Sequence, residues 1–307
     1  MSGERGIAYH QPVLLDAVLA AASGARRVVD ATLGDGGHAE ALLASGAELL
    51  AIDRDPDAIR LARARLGEQR IRYLEASYAS PAALAAVTAF APDFILLDLG
   101  VSSRQFDDAV RGFSFRPGVP LDMRMEQAGP TAAELLNRAP QETLRRWLAD
   151  YGDERRAGRL AAEITRRRAR APFLVSDDLV NAVRAVLGSR SGPDDFARIF
   201  QALRIAVNDE LAGLERTLPV YRAAVTPGGA LAAISYHSGE DRLIKHAFHE
   251  WSRTCICSPA QPVCTCRGRA LGNAVPRGGI RPAPDEQSAN PRARSARLRV
   301  FRAASEA

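Results

Sequence analysis

Lysine is almost missing from this 307-residue chain: of 41 basic side chains, forty are arginine and one, Lys245, is lysine. A GC-rich coding sequence produces that bias by itself, so no arginine-specific role is read from it. Cysteine is scarce too. The four present fall within twelve positions, as Cys255-x-Cys257 and Cys264-x-Cys266. A disulfide framework would spread across a small secreted fold, so that class is excluded in favour of a local cluster. No apolar run approaches the roughly 20 residues that cross a bilayer, and no basic–apolar–small leader pattern opens the chain. The expectation is a cytoplasmic protein that does not enter a membrane. With 47% hydrophobic and 25% charged residues, 24 Gly and 18 Pro, collagen, coiled coil and general disorder are excluded as well.

What is present is unevenly placed. Residues 1–106 carry 10 basic and 13 acidic side chains, and residues 205–252 carry 4 and 6. Residues 107–204 carry 17 and 14, and the tail from 253 to 307 carries 10 and 3. The overall +5 therefore hides acidic blocks alternating with basic ones. Such asymmetry points to a polyanionic partner, nucleic acid before an anionic membrane surface, against the plain alternative of a solvated basic tail. A chain of this length is near the ceiling for one core, so two domains, or one with a large insertion, are expected.

Four short apolar runs read as strands: Arg27–Asp30, Leu49–Asp53, Ile71–Glu75 and Phe94–Asp98. Helical stretches separate them, including His38–Ala44 and Pro56–Leu66, so the fold class is α/β with a mostly parallel sheet covered on both faces. After Asp98 the alternation stops. Helices are expected over Thr131–Asn137, Gln141–Ala149, Glu154–Arg168 and Asp177–Leu187, with no strand among them. A long helix from Phe196 to Val225 then leads to a fifth strand, Ala230–Ser235, and a helix from about Glu240. The tail after Arg253 reads as irregular until a last strand over Ser295–Arg302. The economical organisation is an α/β core, 1–106 with 205–307, interrupted by a helical substrate-recognition domain, 107–204.

Three of the strands end in aspartate: Asp30, Asp53 and Asp98. In an open parallel sheet the carboxyl ends of the strands are where ligands bind. Asp30-Ala31-Thr32-Leu33-Gly34-Asp35-Gly36-Gly37-His38 joins a strand to a helix, and its glycines let a ligand approach the backbone. It lacks the Gly-Lys-Ser/Thr of a phosphate loop and the Gly-x-Gly-x-x-Gly of a dinucleotide turn. Asp53 lies about twenty residues on, where a carboxylate takes hydrogen bonds from ribose hydroxyls. A nucleoside ligand without an essential pyrophosphate fits, S-adenosylmethionine being the common one. Asp98, before Leu99-Gly100-Val101-Ser102-Ser103, would offer an acceptor to an amine being methylated, localising its lone pair and helping the proton leave.

Taken together, Asp30–His38, Ala51–Pro56, Leu97–Ser103, Arg111–Phe115, Pro120–Met125, Phe200–Arg204, Ser235–Arg242 and Asn290–Ser295 resemble one family in order and spacing. It is the RsmH (MraW) family of ribosomal RNA small-subunit methyltransferases, and the likeness runs from His10 to about Val300. The resemblance implies a class I, Rossmann-like methyltransferase with an inserted helical domain. It implies methyl transfer from S-adenosylmethionine to N4 of a cytidine in the decoding region of 16S rRNA, with 16S rRNA or the small ribosomal subunit as partner. Carried over by position, Gly36, Gly37 and His38 contact the cofactor, Asp53 holds its ribose, Tyr78 lies near the adenine, and Asp98 and Gln105 complete the site. Arg104 and Phe106 replace the family's usual Pro and Leu around Gln105, Gly239 replaces a Leu, and Tyr78 a more familiar Phe.

Asp98 and His237 are the catalytic candidates, His237 either taking the amine proton or serving its own turn through Glu240–Arg242. Phe113 and Phe115 either stack on an extruded base or plug a small core. The cysteine pairs could hold zinc through four thiolates, but zinc sites more often use Cys-x2-Cys, so reduced thiols are expected and no metal is assigned. An amino-methyltransferase acting on another substrate and a non-catalytic RNA-binding protein remain as rival classes. The oligomeric state stays open, a homodimer included.

Overall fold

The computed structural model describes residues 12–258, 261 and 263–305; His10, where the resemblance starts, lies outside them. The chain divides into two compact units, Met1–Gly100 with Gly213–Ala307, and Val101–Ala212 between them in sequence. The division lies six residues before and eight residues after the 107–204 segment delimited from the sequence.

In the first part of the α/β unit, α1 (Leu15–Ala21), β1 (Arg27–Asp30), α2 (Gly37–Ala44), β2 (Glu48–Asp53), α3 (Pro56–Leu66), β3 (Ile71–Glu75), α4 (Pro81–Phe90) and β4 (Phe94–Asp98) alternate. Continuous apolar runs make strands because both sheet faces are covered. Successive residues on β1 go to opposite layers. Val28 joins Leu49, Leu96 and Ala232 beneath α1, α2 and α3, whereas Val29 joins Leu50, Ile95 and Leu97 beneath α4 and the later helices. Local signals set the helix ends. Asp55 accepts the Asp57 N–H, Pro56 opens α3, and Gly67 closes it at φ 70°.

The helical unit contains α5 (Ser103–Asp107), α6 (Ala132–Arg138), α7 (Gln141–Asp150), α8 (Ala157–Arg168), α9 (Ser176–Leu187) and α10 (Pro193–Asn208). Their apolar faces, including Leu136, Leu144, Leu148, Leu160, Leu179 and Phe200, close over one core. Its described residues form no strand, only an isolated bridge between Pro120 and Val175. The long helix expected over Phe196–Val225 is two helices. Asp209 adopts a left-handed φ of 52°, ending α10 before α11 (Glu210–Ala224) begins. Asn208 at that break donates to the Met123 carbonyl and accepts from the Met125 N–H. Long-range polar bonds thus override the uninterrupted helical periodicity.

The chain returns to the α/β unit with β5 (Ala230–Ser235), α12 (Ser238–Trp251), β6 (Gly272–Ala274), α13 (Pro284–Ala289) and β7 (Arg297–Ala303). β6 and α13 lie in the tail that reads as irregular in sequence. The seven strands are ordered β3-β2-β1-β4-β5-β7-β6. The first five run parallel, while β7 is antiparallel to both β5 and β6. This is the α/β, Rossmann-like class expected. Strand order reverses between β1 and β4, so the crevice beyond their carboxyl ends is the topological switch point. Among the described residues no helix is long and apolar enough to cross a membrane.

Candidate active site

The loop after β1 is stitched to both neighbouring strands. Ala31 N–H donates to the Leu96 carbonyl at 2.9 Å and Leu33 N–H to the Ile52 carbonyl at 2.9 Å. Thr32 Oγ1 accepts the Asp98 N–H at 2.6 Å. Glycine is required where the loop enters α2. Gly36 sits at φ +78°, and a Cβ on Gly37 would come within 2.5 Å of Pro12 Cγ. The turn therefore packs its backbone closely while the first N–H groups of α2 face the sheet edge.

Three carboxylates meet the same edge. Asp53 Oδ2 accepts the Gly34 N–H at 2.7 Å and its Oδ1 the Asp55 N–H at 2.8 Å, which fixes the carboxylate plane. Burial still raises its pKa to about 6. Asp30, only 1% exposed, is raised to about 7 by burial, with Asp98 and Asp53 adding repulsion and His38 opposing it. Asp98 is also raised to about 7, by burial first, although its side chain keeps 24% exposure. Among the described residues none of the three pairs with an arginine.

His38 and Tyr236 order this cluster. His38 Nε2 lies 3.0 Å from the Val13 carbonyl, which can only accept, so that nitrogen carries the proton. Nδ1 of the neutral ring then turns its lone pair toward Asp98 Oδ2, 3.6 Å away. Burial lowers the His38 pKa and keeps the ring neutral. Tyr236 donates its hydroxyl to Asp98 Oδ1 at 2.8 Å, and burial beside Asp98 keeps the phenol protonated. Sequence reading gives Tyr236 no role in this cluster, and it notes Asp30 as a strand end without making it a site candidate. A signal for Tyr236 existed: Asp98 pairs with Ile234 across β4 and β5, so Tyr236, two residues on, returns to the same face.

The other sequence candidates are placed as follows. Gly36, Gly37 and His38 open α2 beside Asp53 and Asp98. Tyr78 lies in the loop after β3, its carbonyl accepting from the Tyr221 hydroxyl at 2.9 Å and its side chain packed on the sheet. Gln105 belongs to the helical unit. It is buried in α5, where its Oε1 accepts the Ser102 N–H and its own N–H donates to Ser102 Oγ, a reciprocal cap. His237 is the N-cap of α12: Nδ1 accepts the Gly239 N–H at 3.2 Å and Nε2 lies 3.2 Å from Glu240 Oε1. Of its two alternatives, these contacts match service to its own turn. Phe113 is buried in the helical core, and Phe115 meets Phe196 and Phe200 edge-on at 5.9 and 6.0 Å, the arrangement of core plugs.

This edge suits a nucleoside ligand that carries positive charge. Asp53 has lone pairs left for two vicinal hydroxyls. Among the described residues Asp30 and Asp98 are desolvated acids without an arginine or lysine partner, and a positively charged ligand would stabilise their ionised forms.

A family model described as the MraW methylase family matches residues 7–304. A protein of Gemmatimonas aurantiaca named "Ribosomal RNA small subunit methyltransferase H" is 55% identical, covering 99% of this chain and 98% of its own length. Proteins of the same name from Rubrobacter xylanophilus and Heliobacterium modesticaldum are 44% and 41% identical. They cover 98% and 95% of this chain, and 98% and 97% of their own lengths.

Proposed function

The chain belongs to the MraW methylase family, and from that premise we propose that it is an S-adenosylmethionine-dependent methyltransferase of small-subunit ribosomal RNA. Its target in this reading is N4 of a cytidine in the decoding region of 16S rRNA. The observation that carries the reading is Asp98, an unpaired carboxylate at the switch point, aimed by the Tyr236 hydroxyl at 2.8 Å.

The residues at the sheet edge fit the cofactor. Bound S-adenosylmethionine supplies an electrophilic methyl group on a cationic sulfur. Asp53, its plane held by two backbone N–H groups, accepts from the ribose hydroxyls. Gly36 and Gly37, the cofactor-contacting candidates of the turn, let it pack closely against α3 and Pro12, and Asp30 stands at the strand end from which the turn starts. Tyr78 offers a flat face to the adenine, and Gln105, in the helical unit, stays a cofactor candidate on the resemblance alone.

The exocyclic amine of cytosine is a poor nucleophile because its lone pair is delocalised into the ring. Asp98 accepts an N–H from that amine, which localises the lone pair and orients it in line with the methyl carbon. Raised to about 7, Asp98 is poised to hold the proton that the amine loses. Tyr236 keeps its carboxylate from rotating, and His38 presents a neutral nitrogen to the other oxygen. His237 holds the start of α12, and so the backbone that carries Tyr236, in place. The basic insertion and tail, with the acidic blocks confined to the core, suit an RNA partner.

The reading is tested by incubating the protein with labelled cofactor and either small ribosomal subunits or free 16S rRNA from a strain lacking the enzyme. N4-methylcytidine in the digested RNA, mapped to one decoding-region position, is expected. Label in DNA, protein or another nucleoside would favour the amino-methyltransferase alternative. Binding of RNA without any cofactor binding would favour the non-catalytic one.

A further inference from the structure

The four cysteines lie between α12 and β6, in the α/β unit but on neither apolar layer of the sheet. Cys264 Sγ is 3.7 Å from Cys255 Sγ, 3.9 Å from Cys257 Sγ and 3.5 Å from Cys266 Sγ. Cys266 Sγ is 3.8 Å from Cys255 Sγ, and all four sulfurs lie within 4.8 Å of one another. A zinc ion bound tetrahedrally to sulfur at about 2.3 Å sets its ligands about 3.8 Å apart. Two disulfides would instead sort the sulfurs into two close pairs. Here one sulfur is nearly equidistant from the other three, which is a vertex of a tetrahedron.

The loop has little else to hold it. Among the described residues from 253 to 270, none enters an apolar cluster, and Ile256 and Val263 are 42% and 68% exposed. Its base is tied down. Arg267 donates to the carbonyls of Glu250 and Arg253, and Leu271 N–H reaches the Trp251 carbonyl at 2.9 Å. Above that base, the cysteines are where the strands of the loop converge. The Ile256 N–H points at Cys266 Sγ from 3.3 Å, as a donor to a thiolate would.

We propose that Cys255, Cys257, Cys264 and Cys266 form a structural four-thiolate zinc site that folds the loop between α12 and β6. The single residue between the members of each pair does not prevent this, since both pairs already bring their sulfurs to one centre. An all-sulfur tetrahedral set selects zinc or iron, and zinc is the redox-inert choice for a site that closes a loop. On binding, each thiol that is still protonated releases its proton to solvent and donates a sulfur lone pair to the ion. The site then holds Arg253, Arg267 and Arg269 in a fixed array at the start of the basic tail.

The full-length protein, purified under reducing conditions without added metal, should contain about one zinc per chain by elemental analysis. The Cys255→Ser/Cys264→Ser variant should retain less than about a tenth of that. Because a variant can lose metal by misfolding, metal-stripped wild-type protein is also titrated with cobalt(II). A thiolate-to-cobalt absorption band and tetrahedral d–d bands saturating at one equivalent support the site, even if zinc is lost during purification. Two disulfides in the isolated chain, iron in place of zinc, or neither zinc nor a saturating cobalt spectrum would overturn the proposal.

Discussion

Acidic side chains behave in opposite ways in the helical unit and at the sheet edge of the α/β unit. In the helical unit several are matched to arginine. Glu163 accepts from Arg166 and Arg167 and is pulled down to about 2, Asp122 is held low by Arg124, and buried Glu154 lies 2.9 Å from Arg198. At the sheet edge of the α/β unit, Asp30 and Asp98 have no such partner, and burial pushes both up to about 7. In the proposed reading the same chemical group is a structural element where its charge is matched and a functional one where it is not. An unpaired buried acid costs stability in the absence of ligand, and the natural account of its presence is the charge it awaits.

The largest expected contrast comes from removing one acid of each kind. Asp98→Asn should lower methyl transfer by roughly 100-fold or more, because the amide cannot take the proton. The same change should stabilise the unliganded protein. A carboxylate whose folded pKa is raised stabilises the fold below its unfolded pKa of about 4 and loses that contribution as pH rises through about 7. At pH 8 the gain is on the order of 2 kcal/mol, read from denaturant unfolding. Lower stability together with full activity would break the comparison.

Next comes Tyr236→Phe, which leaves the carboxylate but frees it to turn. We expect turnover to fall about 10- to 100-fold, the range for one lost hydrogen bond to a charged group. The acid limb of the pH–rate profile should move to higher pH, since the Tyr236 hydrogen bond lowers the Asp98 pKa. An unshifted profile would remove Tyr236 from the mechanism.

The smallest effect belongs to Glu163→Gln in the helical unit. Its arginine partners are partly exposed, so solvent screening limits the loss to about 0.5–1 kcal/mol, with turnover unchanged. The sign is opposite to that of Asp98. A depressed carboxylate stabilises the fold above its unfolded pKa of about 4.5 and loses that contribution only as pH falls through about 2. Unfolding of wild type and variant at pH 7 and pH 3 separates the two behaviours.

Much of this was legible in the chain itself. The five parallel strands are apolar runs, and three of them end in aspartate, so both the sheet and the edge where those carboxylates gather were readable. What escaped depended on long-range neighbours. The break at Asp209 is fixed by Asn208 bonding to Met123 and Met125, more than eighty residues away in sequence. β6 has only three residues, too few to show a period. Tyr236 was within a motif but needed the β4–β5 register to be recognised as the partner of Asp98. His237 looked like a proton acceptor because its type suits that task, whereas its contacts lie within its own turn. The cysteine spacing left metal and free thiols both open, and the sulfur positions are what the zinc proposal rests on.

The central claim is that the unpaired acids at the sheet edge await a cationic adenosyl cofactor. Calorimetric titration of the wild-type protein with S-adenosylmethionine from pH 5 to pH 8, in buffers of different ionisation enthalpy, tests it most directly. Affinity should rise as pH passes through the 6 to 7 range of Asp53, Asp30 and Asp98, with net proton release on binding. The dependence should be weaker for S-adenosylhomocysteine, whose sulfur is neutral. Equal affinity across the range, with no protons released, would contradict the account.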